Sequence, residues 1–305
     1  MSRQIRVAAA QLGPASEVAA ENTPRLVGMI YQARVQGVQL IAFPELALTT
    51  YFPTRVHDAD WERYFEDSLD SPTVTPIRAA ARDAGMALVL PFAERAGHGC
   101  FNSAAIFDAD GSLLGMYRKV HIPGTKEPVG QEPYSLEQRY FLDGDLGFPV
   151  YESSVGRLGM LICADRGFPE GWRCLGIAGA EIVITPYNTS TNVPHNPRSG
   201  LSAVETLRQQ QPLRMCAGAN MNGYFVVAPG KAGVERGVEY IGDSMVIGPW
   251  GDIRRRAHTD GDELVIVDID LAEAAEVQAR LDLAHKRRPE AYRPLVAPAA
   301  VPVGV

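Results

Sequence analysis

No stretch of the 305-residue chain approaches the roughly 18 consecutive apolar residues that a membrane-spanning helix needs. The N-terminus, Met1 to Leu12, lacks the charged segment and apolar run of about 7–15 residues that mark a secretory signal. Cysteine is scarce. Cys100, Cys163, Cys174 and Cys216 form no C-x-x-C pair and no evident disulfide framework. A reducing, cytoplasmic location with no membrane partner is therefore expected. The six histidines (His57, His98, His121, His195, His258, His285) stand singly and make no local metal pattern. Basic residues do not dominate either. The 29 Lys and Arg against 36 Asp and Glu give a net charge of −7, which disfavours a nucleic-acid partner, since that needs a basic face. There is no repeat, heptad run, low-complexity linker or break in composition. The chain reads as one domain, residues 1–293, with a Pro-, Ala- and Val-rich tail, residues 294–305.

What is present alternates. Ile5 to Leu12 is an apolar run of strand length. Thr23-Pro24 reads as a helix start, with Leu26, Met29, Ile30 and Ala33 at helical spacing and Gly37 at the exit. Gln39 to Phe43 is a second strand, a helix follows Ser71-Pro72 to near Gly85, and Met86 to Pro91 is a third strand. Asn102 to Phe107 and Leu113 to Tyr117 flank Asp110-Gly111, a hairpin signal. Arg157 to Ile162, Pro169 to Ala178 and Glu181 to Pro186 read as strand, helix, strand. Gly200 to Ala219 reads as a helix interrupted at Pro212. Strands at Phe225 to Ala228, Ser244 to Ile247, Ile253 to Ala257 and Leu264 to Asp268 precede a helix at Ala272 to Leu283. The pattern is α/β, with sheets covered by helices.

Three segments put a reactive side chain at the end of an apolar run, where α/β sheets bind ligands. They are Ile41-Ala42-Phe43-Pro44-Glu45, Met116-Tyr117-Arg118-Lys119-Val120-His121 and Leu158-Gly159-Met160-Leu161-Ile162-Cys163. Cys163 would sit in a tight turn between a strand and a helix, which exposes a sulfur much as a nucleophile elbow does. A nearby cation would favour its thiolate. A partly desolvated Glu45 suits a general base. Taken singly, each has a plainer alternative: a buried inert thiol for Cys163, a strand-end cap for Glu45, a solvated basic strand end for Lys119.

Together, Phe-Pro-Glu, Tyr-Arg-Lys-x-His and Gly-Met-x-Ile-Cys, in this order, resemble the nitrilase superfamily of carbon–nitrogen hydrolases, over about Arg6 to Ile269. Within it the chain is most similar to the N-carbamoyl-D-amino-acid amidohydrolases. The strings that carry this closer likeness are Phe43 to Thr50, Leu136 to Phe141, Gly144 to Tyr151, Gly179 to Ile182 and Tyr187-Asn188-Thr189. The resemblance implies an αββα sandwich that pairs into a homodimer or homotetramer, with no metal or organic cofactor. It implies Cys163 as nucleophile and Glu45 as base. Lys119 and the Ala164 N–H would stabilise the oxyanion, which one preorganised donor does by about 3–4 kcal/mol. Glu137 matches a second glutamate that orients substrate and lysine. His121 and Asn188, within the matching strings, are expected at the substrate. The implied reaction releases an amino acid, ammonia and carbon dioxide from an N-carbamoyl amino acid.

The likeness departs at the substrate end. The family pattern Asn-Asp-Arg-Arg after the nucleophile is here Ala164-Asp165-Arg166-Gly167, so one carboxylate-gripping arginine is missing. Ser135 replaces a histidine, and the His-rich stretch after Tyr-Asn-Thr has become His195-Asn196-Pro197-Arg198. Arg166 is expected to grip a carboxylate, with Arg198 as a second cation or a solvated loop charge. The alternatives are an amidase on a simple amide, ω-amide or carbamoyl amine, an acyltransferase, or a non-catalytic binding protein on the same scaffold.

Overall fold

The computed structural model describes residues 2–193 and 195–297. The first half runs β1 (Gln4–Gln11), α1 (Ala19–Val35), β2 (Leu40–Ala42), β3 (Phe65–Glu66), α2 (Val74–Ala84), β4 (Ala87–Ala96), β5 (Gly99–Phe107), β6 (Leu113–Arg118) and α3 (Glu137–Tyr140). The second runs β7 (Val150–Ser153), β8 (Gly156–Met160), α4 (Pro169–Ile177), β9 (Ile182–Ile184), α5 (Ala203–Asn222) and β10 (Phe225–Ala228). There follow β11 (Ala232–Glu235), β12 (Val238–Ile241), β13 (Met245–Ile247), β14 (Ile253–Arg256), β15 (Glu263–Asp270), α6 (Leu271–Leu281) and α7 (Leu283–Lys286).

The strands build two main sheets. One has the order β15-β1-β2-β4-β5-β6 with β3 on β4; the other is β14-β13-β10-β9-β8-β7. Each has a parallel centre, β1-β2-β4 and β8-β9-β10, flanked by antiparallel strands. Period-two alternation sends the two faces of each strand into different layers. Val7 and Ala9 of β1 pack against Ile182 and Ile184 of β9 in the space between the sheets. Ala8 and Ala10 turn outward onto Leu26 and Ile30 of α1 and Ile77 of α2. In the second sheet, Val183 and Val226 turn outward onto Trp172 and Leu175 of α4 and Met215 of α5. The layers are therefore α-β-β-α, as expected. Strands covered on both faces read as unbroken apolar runs, which is why these segments stood out in the sequence.

Two expected helix features are corrected. The first helix begins at Ala19, not at Thr23-Pro24. Its first turn, Ala19-Ala20-Glu21-Asn22, carries no apolar periodicity, so the start is not visible as a pattern. Thr23 lies inside the helix, and its Oγ1 donates to the carbonyls of Ala19 and Thr73, each at 3.3 Å. The long helix α5 does not break at Pro212. It runs from a Ser202/Glu205 capping box to Gly223, whose φ of +73° closes it. Pro212 cannot donate to the carbonyl of Arg208, four residues earlier. Arg256 Nη2 donates to that carbonyl instead, at 2.8 Å.

The hairpin at Asp110-Gly111, the helix starting at Pro169 and the four later strands are where the sequence places them, within a few residues. The short ribbon β11–β12 and strands β3 and β7 carry too few apolar residues to be seen in the sequence. Residues 289–295 form a 3-10 turn that enters the expected tail; its part from 298 to 305 lies outside the described residues.

Candidate active site

The ends of β2, β6, β8 and β9 converge, and the side chains just beyond them meet. Lys119, which follows β6, is fully buried between two buried carboxylates. Its Nζ lies 2.8 Å from Glu45 Oε1 and 2.6 Å from Glu137 Oε2. Burial works to lower the Lys119 pKa, but Glu137 and Glu45 override it and hold the ammonium above its ordinary value. Burial pushes Glu137 up, against the pull of Lys119. Asn102 on β5 donates from Nδ2 to Glu45 Oε1 at 2.8 Å, and its carbonyl accepts the Lys119 amide at 2.8 Å. The Tyr51 hydroxyl donates to Glu137 Oε1. Glu45 Oε2, buried like the rest, has no partner among the described residues. Gly144 closes over the Lys119 backbone: a Cβ there would stand 2.2 Å from the Arg118 carbonyl, so only glycine fits.

Cys163 stands at the turn between β8 and a 3-10 segment, Cys163–Gly167, with φ of +48°. A non-glycine residue in that region stores about 1–3 kcal/mol of strain, which the surrounding contacts must hold. Its amide is tied to the Pro186 carbonyl at 2.9 Å. Burial and then Glu45 push the thiol up to about 12, while Lys119 and Arg166 pull it back. The Ala164 N–H donates no hydrogen bond among the described residues. Ala164 lines a cleft of about 410 Å³ together with His121, Asp143 and Phe168.

Asp165 fastens this turn. Fully buried, it accepts from the Ile162 amide (3.0 Å), the Tyr117 hydroxyl (2.6 Å), the His121 amide (2.9 Å) and His121 Nδ1 (2.7 Å). His121 is thus held at the cleft wall, stacked on Phe168 with ring centroids 3.6 Å apart. Asn188, beyond β9, donates to the Glu45 carbonyl at 2.8 Å and so supports the backbone under the carboxylate.

Of the two arginines named from the sequence, Arg166 bonds the protein itself, and Arg198 stands as a solvated loop charge, one of its two expected places. Arg166 is buried behind Cys163, with Nε on the Cys163 carbonyl at 2.9 Å and Nη2 on Thr189 Oγ1 at 3.1 Å. Its guanidinium lies over the Tyr187 ring, 4.1 Å from the centroid. Arg198 is exposed in the loop between β9 and α5, and its side chain pairs with nothing among the described residues. Sequence reasoning missed Asn102, Tyr51 and Asp165. An asparagine inside the apolar strand Phe101–Phe107 was a signal for the first, and a carboxylate two residues after the cysteine for the last. Tyr51 left none.

No group of three or more His, Cys, Asp or Glu able to hold a metal ion occurs among the described residues. No helix among them is long and apolar enough to cross a membrane.

The family model for carbon-nitrogen hydrolase matches residues 6–279. A citrullinase from Francisella tularensis subsp. tularensis is 32% identical over 96% of this chain and 98% of its own length. A nitrilase from Pyrococcus abyssi is 31% identical, covering 88% and 90%. An N-carbamoylputrescine amidase from Oryza sativa subsp. japonica is 28% identical, covering 96% and 95%. Among solved structures, a carbon-nitrogen hydrolase from Helicobacter pylori G27 superposes with a TM-score of 0.82 at 27% identity, covering 96% of this chain and 99% of that one. Likeness in sequence along the chain and likeness in fold agree with the αββα layers and their buried carboxylate–lysine–carboxylate cluster: the chain belongs to the carbon–nitrogen hydrolase family of the nitrilase superfamily.

Proposed function

We propose that this enzyme hydrolyses a terminal ureido group, R–NH–CO–NH2, with Cys163 as nucleophile, Glu45 as acid and base, and Lys119 with the Ala164 N–H as oxyanion donors. The observation that carries this is the Lys119 ammonium, gripped by two buried carboxylates beside a strained cysteine, with one Glu45 oxygen left unpartnered. Burial and Glu45 hold this thiol well above its ordinary range, so it rests as the neutral thiol at pH 7. The proton must therefore leave as attack occurs, and the unpartnered Glu45 oxygen is the acceptor available to take it.

The Cys163 sulfur bonds to the ureido carbon, and the carbonyl electron pair moves onto oxygen, where Lys119 and the Ala164 N–H meet it. The C–N bond to R–NH breaks as Glu45 returns its proton to that nitrogen, which releases R–NH2 and leaves S-carbamoyl Cys163. Glu45 then takes a proton from water, whose oxygen displaces the sulfur, and hands that proton to the departing Cys163 thiolate. The carbamic acid so formed falls apart to ammonia and carbon dioxide. The sum is R–NH–CO–NH2 plus water giving R–NH2, ammonia and carbon dioxide.

Within the ureido class, the placement of Arg166 sets the order of preference. Its Nε, Nη1 and Nη2 bond the Cys163 carbonyl, the Met215 sulfur and the Thr189 hydroxyl, so this guanidinium is already engaged by the protein when a substrate carboxylate arrives. This favours a carbamoyl amine, or an amino acid with a side-chain ureido group, the substrates named for two of the relatives. N-carbamoyl amino acids of the D type are the second reading, favoured by the strings from Phe43 to Thr50 and Gly144 to Tyr151.

Ammonia release from N-carbamoylputrescine, citrulline, N-carbamoyl-D- and L-amino acids, simple amides and a nitrile tests both. Turnover of the first two ahead of the rest is expected. Turnover of the nitrile or of simple amides alone would refute the ureido reading, and so would silence on the whole panel while iodoacetamide still alkylates Cys163.

A further inference from the structure

A second ion pair is buried as deeply as the first. Lys231 is fully buried just before β11, and Glu235, 4% exposed, ends that strand. Lys231 Nζ donates to the two Glu235 oxygens at 2.9 and 2.7 Å, and to the Thr49 carbonyl at 3.4 Å. Such a pair generally stabilises a fold no better than well-packed apolar side chains of the same volume. Stability is thus a poor reason for its presence.

The remaining contacts of Glu235 supply a better one. Its Oε1 accepts the Tyr51 amide at 2.7 Å and its Oε2 the Ala15 amide at 2.8 Å. The Tyr51 hydroxyl donates onward to Glu137 Oε1, and the other Glu137 oxygen receives Lys119 at 2.6 Å. A continuous set of contacts therefore runs Lys231, Glu235, Tyr51, Glu137, Lys119. Tyr240 of β12 closes it from the side: its ring meets the edge of Tyr51 at 6.2 Å and lies 5.8 Å from Lys231 Nζ. Glu45, Thr49 and Tyr51 all belong to one irregular stretch with neither helix nor strand, in which Leu46 has φ of +49°. Without a hydrogen-bonded ladder, that stretch is held by a few scattered backbone bonds, such as Ala47 to Pro91 and Thr50 to Ser16, and by side-chain anchors such as these.

We infer that Lys231, Glu235 and Tyr51 are positioning residues, which fix Glu137 and the turn that bears Glu45 against Lys119. They touch none of the reacting atoms. The inference rests on the roles proposed above for Glu45 and Lys119 and on the grip of Glu137 on Lys119, not on the identity of the substrate.

The test replaces the pair together, Lys231→Met with Glu235→Leu, so that no unpaired charge remains in the core. The folded fraction is isolated first by size-exclusion chromatography and sites are counted from it, which keeps misfolded chains out of kcat. We expect kcat per site to fall about 10- to 100-fold, as it does when a catalytic group is misplaced by an ångström or less. KM should change less than about threefold, because substrate binding is spared. Tyr51→Phe alone should lose a similar factor, and adding it to the paired replacement should cost little more, since both act through one set of contacts. Lys231→Arg should retain most of the activity. Wild-type kcat per site in the folded paired replacement, or losses that multiply in full with Tyr51→Phe, would overturn the inference. Should the paired replacement fail to fold, wild-type kcat per site in Tyr51→Phe overturns it equally. The rate of Cys163 alkylation needs no ureido compound. Slower alkylation in these variants, with an inactive substrate panel, would remove the substrate reading and leave the positioning role standing.

Discussion

Replacing Lys119 with methionine tests the electrostatics of the site most directly. The ammonium is fully buried and lies 2.8 and 2.6 Å from two carboxylates that are themselves buried. Methionine fills a similar volume but leaves Glu45 and Glu137 without their cation. Breaking a buried pair from one side costs about 3–5 kcal/mol. At about 2 °C per kcal/mol for a chain of this length, Tm should fall by about 6–10 °C at pH 8. The pH dependence has a definite sign. Burial already holds Glu137 above its ordinary value, and loss of Lys119 removes the main force opposing that rise. A carboxyl whose folded pKa is raised stabilises the fold below its unfolded pKa and loses that contribution as pH climbs through the folded one. The gap in Tm between variant and wild type should therefore narrow as pH falls from 8 towards 5, where Glu137 takes up a proton and the unpaired charge disappears. The proposed oxyanion donor is lost as well, so kcat should drop about 100- to 1000-fold. Calorimetry across pH together with ammonia release measures both. An unchanged Tm at pH 8, or a gap that widens as pH falls, would refute the reasoning.

Cys163→Ala should abolish turnover and leave Tm within about 2 °C of wild type, because alanine keeps the Cβ and the positive φ of the turn and removes only the sulfur; residual activity above background would remove Cys163 as nucleophile. Arg166→Ala should lower kcat for every substrate alike, since the guanidinium supports the Cys163 carbonyl and Thr189; a KM rise confined to carboxylate-bearing substrates would show that Arg166 meets the substrate after all. Light scattering is expected to report a homodimer or homotetramer, the pairing implied by the likeness to the nitrilase superfamily; only a 33.1 kDa species at working concentration would refute it.

The parts of this molecule that were readable in advance are those whose cause is local. β1, β9 and β10 announce themselves because both faces are covered, so their apolar runs have no gaps. Glu45, Lys119 and Cys163 announce themselves because each breaks such a run at a strand end, where α/β sheets bind ligands. Glu137 followed only from its string of neighbours, since nothing in a four-residue helix marks one carboxylate as special. The misreadings have local causes too. Pro212 reads as a break because the chain around it shows no donor for the Arg208 carbonyl; that donor, Arg256, arrives from a strand 48 residues later. Thr23-Pro24 reads as the helix start because the first turn of α1, Ala19 to Asn22, shows no apolar periodicity.

Tyr51 carries this argument furthest. Its amide meets a carboxylate 184 positions away, and its hydroxyl meets one 86 positions away. Neither separation leaves a trace in periodicity, capping or composition. Lys231 and Glu235 are only four residues apart, yet nothing in their local sequence marks them as buried, because the covering stretch from Glu45 to Tyr51 is supplied by the opposite half of the chain. Residues that act on the substrate are constrained by where strands end, which a sequence displays. Residues that hold them in place are constrained by contacts between the two halves of the sandwich, which only the folded chain displays. If the positioning role of Lys231, Glu235 and Tyr51 holds, the accuracy of the Lys119 cluster depends on residues that the first kind of reading cannot reach.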